Sequence, residues 1–137
     1  MNYKEYRKIS KPKRKNLEDK IQIEFIKKLS DYPFLKPAFV RNEQGYNSPQ
    51  VGARLKAMGR MSGFSDLIIF DIRSQRTIYF VEMKKWEISD KGKVINKGRQ
   101  SESQKDFQVL VESHEFNYFL IDSPEAEKKF FDFVNNT

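Results

Sequence analysis

An α/β fold, built as a small mixed β-sheet flanked by helices on both faces, is the architecture this sequence predicts. Three observations lead to it. Hydrophobic periodicity runs along the chain in the order helix, helix, strand, strand, helix, strand, helix, which suits one sheet covered on both sides. Twelve Phe, six Tyr and one Trp supply a core even though 33% of the residues are charged. Two helix starts are written in their capping residues, Ser101-x-x-Gln104 and Ser123-Pro124. At 137 residues the chain fits one domain, read as a basic N-terminal arm over 1–15 and a folded domain over 16–137.

The elements follow in order. Leu17, Ile21, Phe25 and Leu29 recur at helical spacing, with Asn16 as the expected N-cap. Tyr32 to Pro37 breaks that helix, and Ala38 to Val40 is either a short strand or the end of the connection. Arg41 to Pro49 reads as a polar loop. Val51, Leu55 and Met58 give a second, short helix, with Gly59 where a C′ glycine belongs. Leu67 to Phe70 and Thr77 to Val81 are apolar strand runs joined by a polar turn over 71–76. Glu87 to Gln100 reads as a long charged loop. Ser101 opens a third helix with Phe107, Leu110 and Val111 on one face. Phe116 to Ile121 is a third strand, and Pro124 opens a last helix burying Ala126, Phe130 and Val134.

Composition removes several function classes. With no Cys there is no disulfide, no thiolate-held zinc and no cysteine nucleophile, which suits a cytoplasmic setting. A single histidine, His114, removes any mechanism that needs two. No run of eighteen apolar residues is present, and Met1 to Lys20 is charged without the apolar centre of a secretory leader. The formal net charge of +7 points to a polyanion, with nucleic acid ahead of anionic lipid. Met1 to Lys20 carries eight of the Lys and Arg residues, whereas Glu112 to Thr137 is acidic. The run Lys11-Pro-Lys-Arg-Lys15 would add salt-dependent phosphate contacts without sequence readout.

The second strand carries the chemistry. Period-two geometry sends Glu82 and Lys84 to one face and Met83 to the other. An acid and a lysine at the end of an apolar strand are costly to bury without a task or a partner. Asp66 stands at the mouth of the neighbouring strand, so pairing through the 71–76 turn would bring Asp66, Glu82 and Lys84 to one sheet end. Two close carboxylates suit a hard divalent cation, Mg²⁺ with Mn²⁺ as its substitute. The same spacing also fits a surface Glu–Lys pair with Asp66 capping a turn.

Ser65-Asp66, a short hairpin and then Glu82-Met-Lys84 resemble the PD-(D/E)XK nuclease signature. Over residues 17 to 123 the surroundings resemble one family within it, the VRR-NUC domain. The matching stretches are Glu18-x-x-Ile-Gln22, Asn42 before a glycine-containing loop, Leu55-Lys-Ala-Met-Gly59, Ser62-Gly-Phe-Ser-Asp-Leu67, Phe80-Val-Glu-Met-Lys84 and Ser101-Glu-Ser-Gln104. Two features depart from the family: Ser65 stands where Pro is usual, and the Val-Arg-Arg string is absent.

The resemblance implies a restriction-endonuclease-like core and a metal-dependent endonuclease that hydrolyses DNA phosphodiester bonds. Asp66 and Glu82 would be metal ligands, joined by the backbone carbonyl of Met83. Glu18 would reach the metal directly or through water, unless it merely complements its helix dipole. Lys84 would serve the attacking water. Gln104 would close the site, complete the capping box with Ser101, or do both. Asn42, Arg54, Lys56, Arg60, Lys85, Trp86, Lys93, Lys97 and Arg99 are the candidate nucleic-acid contacts, with the basic 87–100 loop as a mobile flap facing DNA. Family members of this minimal, phage-type size resemble Holliday junction resolvases, which implies branched DNA, a homodimer and the cytoplasm of a bacterial or phage-infected cell, with no membrane and no small-molecule cofactor. Phe130, Phe131 and Phe133 offer aromatic surface to a second copy or belong equally to the core, since only some of three near-adjacent Phe can face inward on a helix. The alternatives are a flap-cutting or sequence-specific nuclease on the same fold, and a basic DNA-binding domain without catalysis.

Overall fold

The computed structural model describes residues 11–40, 49–73 and 75–137. It is a mixed α/β structure. Among the described residues the helices are α1 (Lys11–Leu29), α2 (Pro49–Ala57), which buries no residue, α3 (Glu102–Ser113) and α4 (Pro124–Asn135), and the main sheet is β1 (Leu35–Phe39), β2 (Leu67–Asp71), β3 (Thr77–Met83) and β6 (Asn117–Ile121). A two-stranded ladder of β4 (Glu87–Ile88) and β5 (Val94–Ile95) lies between β3 and α3 in sequence. Strand order in the sheet is β1-β2-β3-β6, with only the β3–β6 pair parallel. That pair requires a crossover, and α3 lies within it.

Side-chain alternation divides the core in two. On one face Leu67, Ile69, Tyr79, Val81, Met83 and Ile121 are buried under Phe25 and Leu29 of α1 and Phe130 and Val134 of α4. Phe25 and Phe130 meet edge to face at 5.5 Å, a favoured aromatic geometry. Lys28 and the buried Glu127 join the same two helices by an ion pair. On the other face Phe107 and Val111 of α3 pack on Tyr118, with Phe64, Phe80 and Leu120 at the edges. The helices therefore cover both faces, as the periodicity predicts.

Several expectations shift. The first helix begins at Lys11 and not after an Asn16 cap, so part of the basic arm is helical. Lysine and arginine are good helix formers, and Pro12 is tolerated in the first turn. The remainder of the arm and the loop over 41–48 lie outside the described residues. β1 starts at Leu35 and includes Pro37, which is permitted because β1 is an edge strand. The second helix ends as expected in a Schellman turn. Gly59 takes φ +104°, its N–H bonds the Lys56 carbonyl at 3.0 Å, and the Arg60 N–H bonds that of Leu55 at 3.0 Å. Met58, expected on its apolar face, is exposed.

Further along, the 87–100 segment is not loop throughout, since it contains the β4–β5 ladder. Leu110 is exposed because Phe107 and Val111 alone fill the contact with the sheet. Phe116 falls one residue before β6 and is also exposed. The Phe130 ring is fully buried, and Phe131 is packed against the main core, so of that trio only Phe133 is exposed surface for a second copy. Among the described residues no helix is long and apolar enough to cross a membrane.

Candidate active site

Four side chains converge at the C-terminal end of β3. Glu82, one residue before the strand ends, is 1% exposed and shares its face with Phe80. Lys84 continues the alternation, and its ammonium lies 3.7 Å from Glu82 Oε1. Asp66 precedes β2 and is buried, and its Oδ2 accepts the Met83 N–H at 2.7 Å. This bond ties the carboxylate to the backbone between Glu82 and Lys84. Beneath it, the buried Ser65 donates its hydroxyl to the Leu67 carbonyl at 3.0 Å, closing the turn into the strand. The antiparallel β2–β3 register, with Leu67 opposite Val81, is what brings Asp66 to this end.

Gln104 completes the group from α3. It is the N3 residue of a full capping box, receiving the Ser101 N–H on Oε1 at 2.8 Å while Ser101 Oγ accepts the Gln104 N–H. The same Oε1 accepts from the Lys84 ammonium at 2.9 Å, and Nε2 donates to Glu82 Oε1 at 2.8 Å. One amide therefore completes the capping box and also bonds both Glu82 and Lys84. Gly63 makes this possible. It takes φ +75°, and a Cβ there would stand 2.1 Å from the Ser103 carbonyl oxygen, so only glycine lets this loop reach the start of α3.

Burial and a neighbouring carboxylate disfavour ionisation of Glu82. Burial first, then the charge of the Asp66 carboxylate, push the Glu82 carboxyl up to about 8, with Lys84 opposing and Glu18 adding a smaller push. Glu82 Oε2 is buried and has no hydrogen-bond partner among the described residues. An orphaned carboxylate oxygen beside a second carboxylate is a donor set that a hard divalent cation satisfies. Among the described residues no three acids or histidines stand close enough to hold a metal together. Asp66 and Glu82 are the two carboxylates that meet at this end of the sheet, and Mg²⁺ habitually binds through one or two carboxylates and keeps its waters. Glu18 lies well inside α1, whose first turn has no acid, so it does not serve the helix dipole. It is half-buried and acts on Glu82 through its field. Met83 buries its side chain in the main core while its backbone faces Asp66.

Sequence reasoning missed Tyr118, Gln100 and Gly98. Tyr118 Oη accepts from Gln100 Nε2 at 3.0 Å, and Gln100 also donates to Gln108. Burial, and then the charge of Glu82, hold the Tyr118 phenol far above its ordinary range. Its position two residues before Leu120, which lies beside Glu82 in register, would have pointed to it had the β3–β6 pairing been known. Gly98 lies against Lys84, since a Cβ there would be 3.3 Å from both Cβ and Cδ of that lysine.

The predicted nucleic-acid contacts are dispersed. Arg54, Lys56 and Arg60 are exposed on and after α2. Lys85 donates to the Asn96 carbonyl at 3.0 Å, and Trp86 is partly buried against the main core. Lys93 is exposed in the turn of the β4–β5 ladder, Lys97 lies 3.7 Å from Asp122, and Arg99 is exposed. Asn42 lies outside the described residues. Set against known proteins, the chain matches no family model, no curated protein and no solved structure.

Proposed function

We propose that this chain is a metal-dependent DNA endonuclease with a restriction-endonuclease-like core, of the VRR-NUC kind, acting on branched DNA as a homodimer. The observation that supports the reading is the buried Asp66–Glu82 pair with its unpartnered Oε2, held beside Lys84 by Gln104. A binding module has no use for two buried carboxylates facing phosphate. Asp66 and Glu82 would hold Mg²⁺ or Mn²⁺, with the Met83 carbonyl, Glu18 and water contributing as the resemblance implies. When bound, the cation would screen the charge that develops on the phosphoryl group and acidify a water.

The chain's own residues have separate tasks. Lys84 keeps an ammonium donor beside the carboxylates, where it can orient the attacking water and meet the phosphoryl oxygens. Gln104 fixes Glu82 and Lys84 relative to one another, so neither must reorganise during the reaction. The excess positive charge draws the polyanion in. A two-fold dimer would cut a four-way junction symmetrically.

The test is incubation with a labelled four-way junction, a flap, a linear duplex and single-stranded DNA, in Mg²⁺, Mn²⁺ or EDTA, with Glu82→Ala alongside. Paired junction cuts, lost in EDTA and in the variant, are expected. Cutting of another substrate keeps the nuclease and removes the junction preference. Folded protein that binds DNA without cutting any of the four substrates would leave a basic binding domain.

A further inference from the structure

A groove of about 700 Å³ runs beside the candidate active site, a size that takes a molecule of nucleotide scale. Its floor includes Leu120, which lies opposite Glu82 in the parallel β3–β6 register, and Gly98, which rests on the stem of Lys84. The groove and the site therefore share a wall. Lys97, Arg99 and Lys105 line it, against one acid, Asp122.

The charges are not equivalent. Lys97 lies 3.7 Å from Asp122 and offsets it. Among the described residues the Lys105 ammonium pairs with Glu102 on the open helix surface, an exposed pair of the kind that contributes little and rearranges readily. Arg99 is exposed. The lining thus presents two cations next to a site read as holding a phosphodiester.

We infer that this groove is the track for the nucleic-acid strand running on from the scissile phosphate, with Arg99 and Lys105 gripping its next phosphates and Asp122 masked by Lys97. The inference rests on the nuclease reading and adds to it where the strand lies. Contacts of this type position the backbone and carry no sequence information. They also make a definite contribution to the dependence of binding on salt.

The experiment measures binding of a short fluorescein-labelled DNA single strand by the full chain in EDTA, by anisotropy across a salt series, so that no cleavage is needed. Loss of two phosphate contacts in Arg99→Ala/Lys105→Ala should lower the slope of log K against log salt by about 1.4 and weaken binding roughly tenfold or more at moderate salt. Lys128→Ala/Lys129→Ala, on exposed α4 positions that do not line the groove, should leave the slope unchanged. Asp122→Asn should tighten binding, which a fold defect would not do. If the unaltered chain binds neither this strand nor a labelled four-way junction even at low salt, the nuclease reading falls and takes this inference with it. If it binds DNA but the Arg99/Lys105 variant keeps the full slope, only the groove assignment is overturned. Competition by polyglutamate as effective, charge for charge, as DNA would make the occupant an acidic protein and overturn it as well.

Discussion

Gln104 Nε2 donates to Glu82 Oε1 at 2.8 Å while the same side chain closes the capping box of its own helix. The start of α3 and the carboxylate at the end of β3 are therefore held by one residue. A helix cap and a candidate active site are usually separate concerns; here a shift in either moves the other.

Substitution at 104 separates these two roles. Gln104→Glu keeps a favoured N3 capping residue but sets a third carboxylate against Glu82, so the helix should survive and cleavage should be lost. Gln104→Ala removes both, costing about 1 kcal/mol of stability as well. Thermal unfolding and junction cleavage on both variants would check this. Equal cleavage by Gln104→Glu and the unaltered chain would show that Gln104 is only a cap.

Cation binding should expel a proton. With Glu82 raised to about 8, the carboxyl is mostly protonated at neutral pH and must ionise to become a ligand. Mg²⁺ affinity should rise with pH and level off above about 8, and titration calorimetry in two buffers of different ionisation enthalpy should find close to one proton released. Without metal the sign for folding is the opposite. A folded pKa above the ordinary 4.5 gives stability that is complete below that value and lost as pH rises through about 8. Glu82→Gln should flatten both profiles, and a metal-free stability curve level across that window would count against the raised pKa.

Gly63→Ala tests the loop that seats α3. The new methyl would meet the Ser103 carbonyl and adopt a left-handed backbone, a cost of at least about 1–2 kcal/mol before the clash is counted. Stability and cleavage should fall together. Gly92→Ala is the comparison: with φ +78° and nothing within 4 Å of the added carbon it carries the same backbone cost of about 1–2 kcal/mol but no clash, so it should lose less stability than Gly63→Ala.

At the other end of the sheet, Asp71 accepts a two-pronged ion pair from Arg73 and the Tyr79 hydroxyl at 2.9 Å. Arg73 in turn donates to the Val134 carbonyl of α4. Hydrogen bonds from Arg73 hold the Asp71 carboxyl below its usual range. That stability is present above the ordinary carboxylate pKa and is lost as pH falls through the lowered one. Asp71→Asn should cost about 2 kcal/mol near neutral pH and have less effect in strong acid. Urea unfolding across that range would show it, and an unchanged difference at low pH would contradict the assignment.

Much of the site was legible because its signals are local. The alternation along β3 put Glu82 and Lys84 on one face, and Ser101-x-x-Gln104 marked both the start of α3 and the amide that reaches the site. What stayed hidden depends on partners distant in sequence. Pro37 reads as a strand breaker until β1 is known to be an edge. Tyr118 gains its place beside Glu82 only through the parallel register, and Leu110 reads as core until Phe107 and Val111 are seen to fill the contact. The start of α1 was misplaced because apolar spacing begins at Leu17, whereas the helix starts at Lys11, in a stretch rich in good helix formers but without that spacing.

The β3–β6 register has a kinetic consequence. β2 and β3 are joined by a tight turn and can pair early, but Tyr79 meets Asn117 only after about forty intervening residues have been looped back. Asp66 and Glu82 can thus approach in the first hairpin, before α3 delivers Gln104 to hold Glu82 and Lys84. Their repulsion would fall on the partly folded chain at that stage. If the site holds the cation proposed above, divalent cations present during refolding should therefore quicken the closing step as well as stabilise its product.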